Sequence, residues 1–204
     1  MTKKKEMDIV FLLDRSGSMA GIETDTIGGF NSYINNNKNN NVKVTTILFD
    51  DKYEVFNKRV NIKEVSEMTN KDYFVRGSTA LLDALGKTIE YMDECKAKKV
   101  MFIITTDGLE NSSRKYTKDQ IKEMILGHKD WEFVYIGADI DSYSEGTSIG
   151  INTRNISNYK KDKKGVSNLF ESVSKVSNMY MYDECIDTSW KEELEDYIQE
   201  NEKI

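Results

Sequence analysis

Oxygen donors in three short segments carry the chemistry that this sequence offers. Asp14-Arg15-Ser16-Gly17-Ser18 brings one carboxylate and two hydroxyls, Gly77-Ser78-Thr79-Ala80-Leu81 brings Thr79, and Thr106-Asp107-Gly108 brings a second carboxylate. None of the three contains His or Cys, so together they suit a hard cation. Mg²⁺ is the natural guest, with Mn²⁺ and Ca²⁺ open. Asp14 and Asp107 balance the ion's charge, while the neutral hydroxyls of Ser16, Ser18 and Thr79 leave much of its electrophilicity intact. An ion held that way seeks an anionic ligand from outside, such as the Asp or Glu carboxylate of a partner protein.

Other chemistries fit less well. His128 is the single histidine. It falls between a helix and the strand that follows, at the amino ends of the strands and across the sheet from Ser16 and Ser18. A Ser–His–Asp triad needs hydrogen-bond contact, so that placement argues against one. A histidine stabilised by a helix C-terminus is the plainer reading. The competing enzyme reading is a Mg²⁺-dependent phosphohydrolase or phosphotransferase with Asp14 as nucleophile. Against it, Ser16 stands where haloacid-dehalogenase-like phosphatases carry a second acid, and no lysine is placed as that motif needs. Nucleotide binding lacks both glycine-rich signatures at the end of the first strand. The expectation is a binding module, not an enzyme.

For the three segments to meet, the chain must bring them to one edge of a sheet. Three apolar runs read as strands covered on both faces: Asp8 to Leu13, Val100 to Thr105 and Glu132 to Ile136. The first leads directly into Asp14 and the second into Thr106-Asp107. Val42 to Phe49 and Tyr53 to Val60 read as a hairpin, whose second arm is an antiparallel edge strand. The stretch from Asn152 to Asn158 holds room for a last short strand.

Helical stripes alternate with these strands: Ile22, Ile27, Phe30 and Ile34, then Leu81, Leu85, Ile89 and Met92. A capping box at Thr117 and Gln120 opens a third helix, and Val166 to Tyr180 marks a long fourth one. A second capping box, Ser189 to Glu192, opens a last helix with Trp190, Leu194, Tyr197 and Ile198 on one side. Alternating strands and helices predict an α/β fold: a Rossmann-like, doubly wound, mostly parallel sheet with helices on both faces. In such a sheet, ligands bind beyond the carboxyl ends of the strands, where strand order reverses.

In these positions Asp-x-Ser-x-Ser, Gly-x-Thr-Ala-Leu and Thr-Asp-Gly resemble the von Willebrand factor type A domain. The resemblance runs from about Met7 to about Tyr182. Ile136-Gly137-Ala138-Asp139-Ile140-Asp141, followed by Glu145 to Ile151, further resembles a segment of bacterial and phage members. It implies that Asp14, Ser16, Ser18, Thr79 and Asp107 form a metal-ion-dependent adhesion site, and that recognition of a protein partner passes through the metal. The family places no ligand at Asp139 or Asp141. The expected organisation is one domain over 1–204, with its core at about 7–182 and a helical extension over 187–204.

Composition narrows the partners. Lys and Arg number 29 against 35 Asp and Glu, a net charge of −6, which disfavours a nucleic-acid binder. Lys160, Lys161, Lys163 and Lys164 form a basic stretch interrupted by Asp162, read as a surface loop. The apolar run behind Lys3-Lys4-Lys5 stops at Asp14, too short for an export signal, and no run suits a membrane span. Cys95 and Cys185 lack metal-site spacing and read as buried or half-buried fillers. A cytoplasmic protein is the expectation; oligomeric state and partner identity are not legible.

Overall fold

Every residue of β1 (Met7–Asp14) is buried, as an apolar run broken only by Asp8 requires of a strand covered on both faces. Asp8 is tolerated because Arg59 grips its carboxylate with two N–H groups, at 2.8 and 3.1 Å. The computed structural model describes residues 6–138, 140–182 and 185–202, and β1 lies inside its six-stranded sheet. The other strands are β2 (Val42–Phe49), β3 (Tyr53–Asn61), β4 (Val100–Thr106), β5 (Glu132–Gly137) and β6 (Ile156–Asn158). Their order is β3-β2-β1-β4-β5-β6. All neighbours run parallel except β3, which returns antiparallel to β2 as the hairpin pattern predicts. The chain therefore winds one way from β1 through β2 and β3, and the other way from β4 onward. The crevice where ligands are expected opens between β1 and β4.

The helices are α1 (Glu23–Asn37), α2 (Leu81–Glu94), α3 (Lys118–Gly127), α4 (Ser142–Ser148), α5 (Lys163–Met181) and α6 (Glu192–Glu202). Met7, Ile9, Phe11 and Leu13 of β1 point into the layer shared with α1 and α5, while Val10 and Leu12 face α2 and α3. That alternation explains the unbroken apolar run in sequence. Each such side chain contributes about 1.5–3 kcal/mol on full burial. The predicted capping box of α3 is present: Thr117 accepts from the Gln120 N–H, and the Gln120 side chain accepts in return.

Three expectations need correcting or refining. Ser189 does not cap the last helix. Asp187 accepts from the Ser189 N–H at 2.9 Å, so a single 3₁₀ turn (Thr188–Lys191) precedes α6. The segment after Ile186 is part of the same core, since Ile186, Trp190 and Leu194 are buried with the α1 and α5 side chains. The buried Lys191 fastens it further, donating to the Tyr143 hydroxyl and to the Ile156 carbonyl, both at 2.8 Å. Cys185 is exposed rather than buried, and Cys95 is half-buried. No helix among the described residues is long and apolar enough to cross a membrane.

Candidate metal centre

Asp14 is the last residue of β1, Asp107 follows β4 directly, and Ala80 precedes the first turn of α2. Those three chain ends bring the predicted donors together. Ser16 Oγ lies 3.0 Å from Ser18 Oγ, which donates to Asp107 Oδ1 at 2.6 Å. Gly108 shows how tightly the hydroxyls converge. A side-chain carbon there would stand 2.7 Å from Thr79 Oγ1, 3.3 Å from Ser18 Oγ and 3.7 Å from Ser16 Oγ. Glycine keeps that cradle clear.

Neighbouring ligands of an octahedral Mg²⁺ lie about 2.9 Å apart, given bonds of about 2.0–2.1 Å. The Ser16–Ser18 spacing of 3.0 Å matches that edge. Among the described residues no cluster of three or more His, Cys, Asp or Glu side chains could hold an ion. The donor set here is two carboxylates with three hydroxyls, and it fits a small oxygen-seeking cation rather than a soft metal.

Asp14 sits deepest. Its Oδ1 accepts from the Ser16 N–H at 2.7 Å and its Oδ2 from the Thr106 hydroxyl at 2.5 Å. Tyr73 donates to its carbonyl at 2.5 Å. Burial pushes the Asp14 carboxyl up from 3.8 to about 6; the Thr106 and Ser16 hydrogen bonds pull it down, and the Asp107 charge pushes it up slightly. A raised folded-state pKa means that the protonated form is favoured in the folded protein. The associated stability is fully present below about pH 4 and is lost as pH rises through about 6. In EDTA, the wild type should therefore melt progressively lower relative to Asp14→Asn between about pH 4 and pH 7, an effect on the order of 3 kcal/mol. Melting curves of the two proteins that stay parallel over this range would contradict the assignment.

Around the donors stands a shell that the sequence did not disclose. Asn111 Oδ1 accepts from the Thr79 N–H at 2.9 Å, while the Asn111 and Ser112 N–H groups donate to the Thr79 carbonyl. Glu110 caps α2 by accepting from the Leu82 N–H at 2.9 Å, and it also accepts from the Ser112 and Ser113 N–H groups. Asp83 holds the rest of this loop through the N–H groups of Arg114, Lys115 and Tyr116. Burial raises the Asp83 carboxyl, but those three donors outweigh it and hold it below the usual carboxylate range. Residues 110–113 thus fix where Thr79 points.

A second support is ionic. Arg15 is fully buried between two site residues; it donates to Asp50 Oδ2 at 3.0 Å and to Glu54 at 2.6 Å. Arg76 meets the same Asp50 oxygen at 2.7 Å. Burial raises the Asp50 carboxyl, but the Arg76 and Lys52 hydrogen bonds and both guanidinium charges hold it below its ordinary value. Gly77 completes the turn at a φ of 67°, where a side chain would also crowd Asp51 Oδ1; the Gly77 carbonyl accepts from the Gly17 N–H. Only glycine fits there without strain.

One further residue reaches the donors. Lys161, between β6 and α5, places its ammonium 2.8 Å from Asp107 Oδ2 and also donates to the Ser18 carbonyl. The basic stretch is thus not uniformly a surface loop. His128 lies where the sequence placed it, at the end of α3, with Nδ1 2.6 Å from the Met124 carbonyl and Nε2 2.8 Å from Asp93. Asp141 caps α4 by accepting from Ser144. Asp139 and the opening Thr2 to Lys5 lie outside the described residues.

No family model matches the sequence, and no curated protein matches it. Solved structures match its fold. The chain is similar to proximal thread matrix protein 1 from the mussel byssus in the form with a zinc-occupied MIDAS motif (TM-score 0.60, 17% identity, 85% of this chain and 46% of that one). It is similar to the manganese-loaded TRAP protein of Plasmodium vivax (TM-score 0.61, 19% identity, 81% and 72% covered). It is also similar to the vWF domain of the type V pili tip protein Mfa5 from Porphyromonas gingivalis (TM-score 0.65, 9% identity, 86% and 96% covered). The chain spans less than half the length of the mussel protein.

Proposed function

We propose that this chain, which has the von Willebrand factor type A fold, is a protein-binding module that works through a divalent cation. Asp14, Ser16, Ser18, Thr79 and Asp107 hold the ion, Asp14 and Asp107 directly or through coordinated water. The convergence of three hydroxyls beside Gly108, flanked by two carboxylates, carries this reading. Zinc and manganese in structures of the same fold support a divalent ion, and the all-oxygen donor set favours Mg²⁺ among the candidates. When bound, the ion supplies a weakly neutralised positive charge that attracts an anionic ligand.

The chain's own residues set how that charge is presented. Ser16, Ser18 and Thr79 add no charge, so a partner Asp or Glu that replaces water gains most of the Coulomb attraction at a poorly screened rim. Asp14 does not suit the alternative role of phosphotransfer nucleophile. Its side chain is fully buried and both oxygens already accept hydrogen bonds.

The test is a pull-down of partners with the wild type in Mg²⁺, the wild type in EDTA, and Asp107→Ala in Mg²⁺. Partners retained only in the first arm support the reading; equal retention in all three rejects it. A parallel phosphatase assay covers the enzyme alternative. Steady Mg²⁺-dependent hydrolysis abolished by Asp14→Asn would favour catalysis.

A further inference from the structure

We propose that Lys161 is the built-in occupant of the cation site, holding it closed until a divalent ion displaces the ammonium. The inference rests on the metal reading given above. Lys161 Nζ sits 2.8 Å from Asp107 Oδ2 and also donates to the Ser18 carbonyl, so it touches two of the five residues assigned to the ion. The Asp107 side chain is only 1% exposed, and that of Lys161 22%. A carboxylate so far from water needs a counter-charge, and Lys161 supplies it from within the chain.

The other lysines of the stretch are committed elsewhere. Lys160 and Lys164 lie over the Tyr197 ring of α6, and Lys163 borders the groove between α1 and α5. The backbone on either side of Lys161 is anchored. The Tyr159 N–H donates to the Gly137 carbonyl at 2.8 Å, and Asp162 caps α5 through the Gly165 N–H at 2.8 Å. Only the flexible side chain has to leave, which a four-carbon stem permits without moving the fold.

An incoming ion thus competes with a tethered cation for Asp107 and the Ser18 edge. The competition sets a threshold: the site opens only when the free ion concentration is high enough to displace the ammonium. Lys161 acts on the ion through Asp107 and is a positioning residue, not a ligand.

Calorimetric titration with MnCl₂ and with MgCl₂ tests this on the wild type, Lys161→Met and Lys161→Arg. Methionine keeps most of the stem and removes the charge. Lys161→Met is expected to bind about tenfold tighter than the wild type, a 1.4 kcal/mol difference, while Lys161→Arg stays within about threefold of it. The melting temperature of Lys161→Met should drop in EDTA and return to the wild-type value in Mg²⁺. A merely structural lysine would lower it equally in both. Binding by Lys161→Met with none by the wild type also supports the proposal. Equal affinities in the wild type and Lys161→Met overturn it and leave the metal reading standing; no binding by either overturns both. Amine acetylation read by mass spectrometry gives a check without mutation. Lys161 of the wild type should be protected in EDTA and become labelled on addition of MnCl₂, and equal labelling in both overturns the proposal.

Discussion

Replacing Ser16 and Thr79 together by alanine is expected to abolish measurable uptake of Mg²⁺ or Mn²⁺. The two hydroxyls converge on the Gly108 cradle, at 3.7 and 2.7 Å from the same point. Without them, only the Ser18 hydroxyl and the two carboxylates remain of the five assigned donors, and water must make up the rest of the shell. Loss of even an outer partner of a metal ligand costs about 10–100-fold in affinity, so removal of two assigned ligands should exceed ~100-fold. The fold should persist. Thr79 keeps its backbone bonds to Asn111 and Ser112, and Ser16 still gives its N–H to Asp14. Calorimetry and far-UV dichroism on the double variant separate the two effects, and a titration unchanged from the wild type would refute the ligand assignment.

Asp50→Ala should be the most destabilising single change near the site. Arg15 and Asp50 are both fully buried, and Asp50 is also the anchor of Arg76. Removing the carboxylate leaves Arg15 in the interior with Glu54 as its remaining acidic partner. Breaking a buried pair by deleting one member costs about 3–5 kcal/mol. In a domain of this size that lowers the melting temperature by about 10 °C. The paired change Arg15→Met with Asp50→Leu should recover much of the loss, because no charge is then stranded. Ion affinity should fall in Asp50→Ala as well, since Arg15 stands between Asp14 and Ser16. A melting temperature within about 2 °C of the wild type would show that the pair does not carry this load.

Much of the architecture was legible because its signals are local. An apolar run that stops at Asp14, another that stops at Thr106-Asp107, and a capping box at Thr117 each need only a few neighbouring residues to be read. The five candidate donors stood out for the same reason, each at the end of such an element. What escaped are partners far apart in the chain. Lys161 meets Ser18 across 143 positions, and Arg15 meets Asp50 across 35. No periodicity encodes such pairings, so the same lysine reads as solvated until the fold brings β6 beside β5. Ser189 failed for a different reason. Asp187, two residues earlier, accepts from both the Ser189 N–H and the Ser189 hydroxyl, so that hydroxyl is turned away from the helix it was expected to cap.

The central place of β1 in the sheet also bears on how the chain comes to be folded as it leaves the ribosome. β1 is synthesised before the other described strands, yet one of its two flanks stays open until β4 has emerged, since Asp8 pairs with Val100 and Leu13 with Thr105. During that interval β1 to β3 expose an unpaired, strongly apolar border, the kind of surface that invites premature association. The pairing that closes the border is also the one that brings Asp107 to Asp14. Because Asp107 directly follows β4, the nascent chain presents no assembled cation site before that strand has emerged.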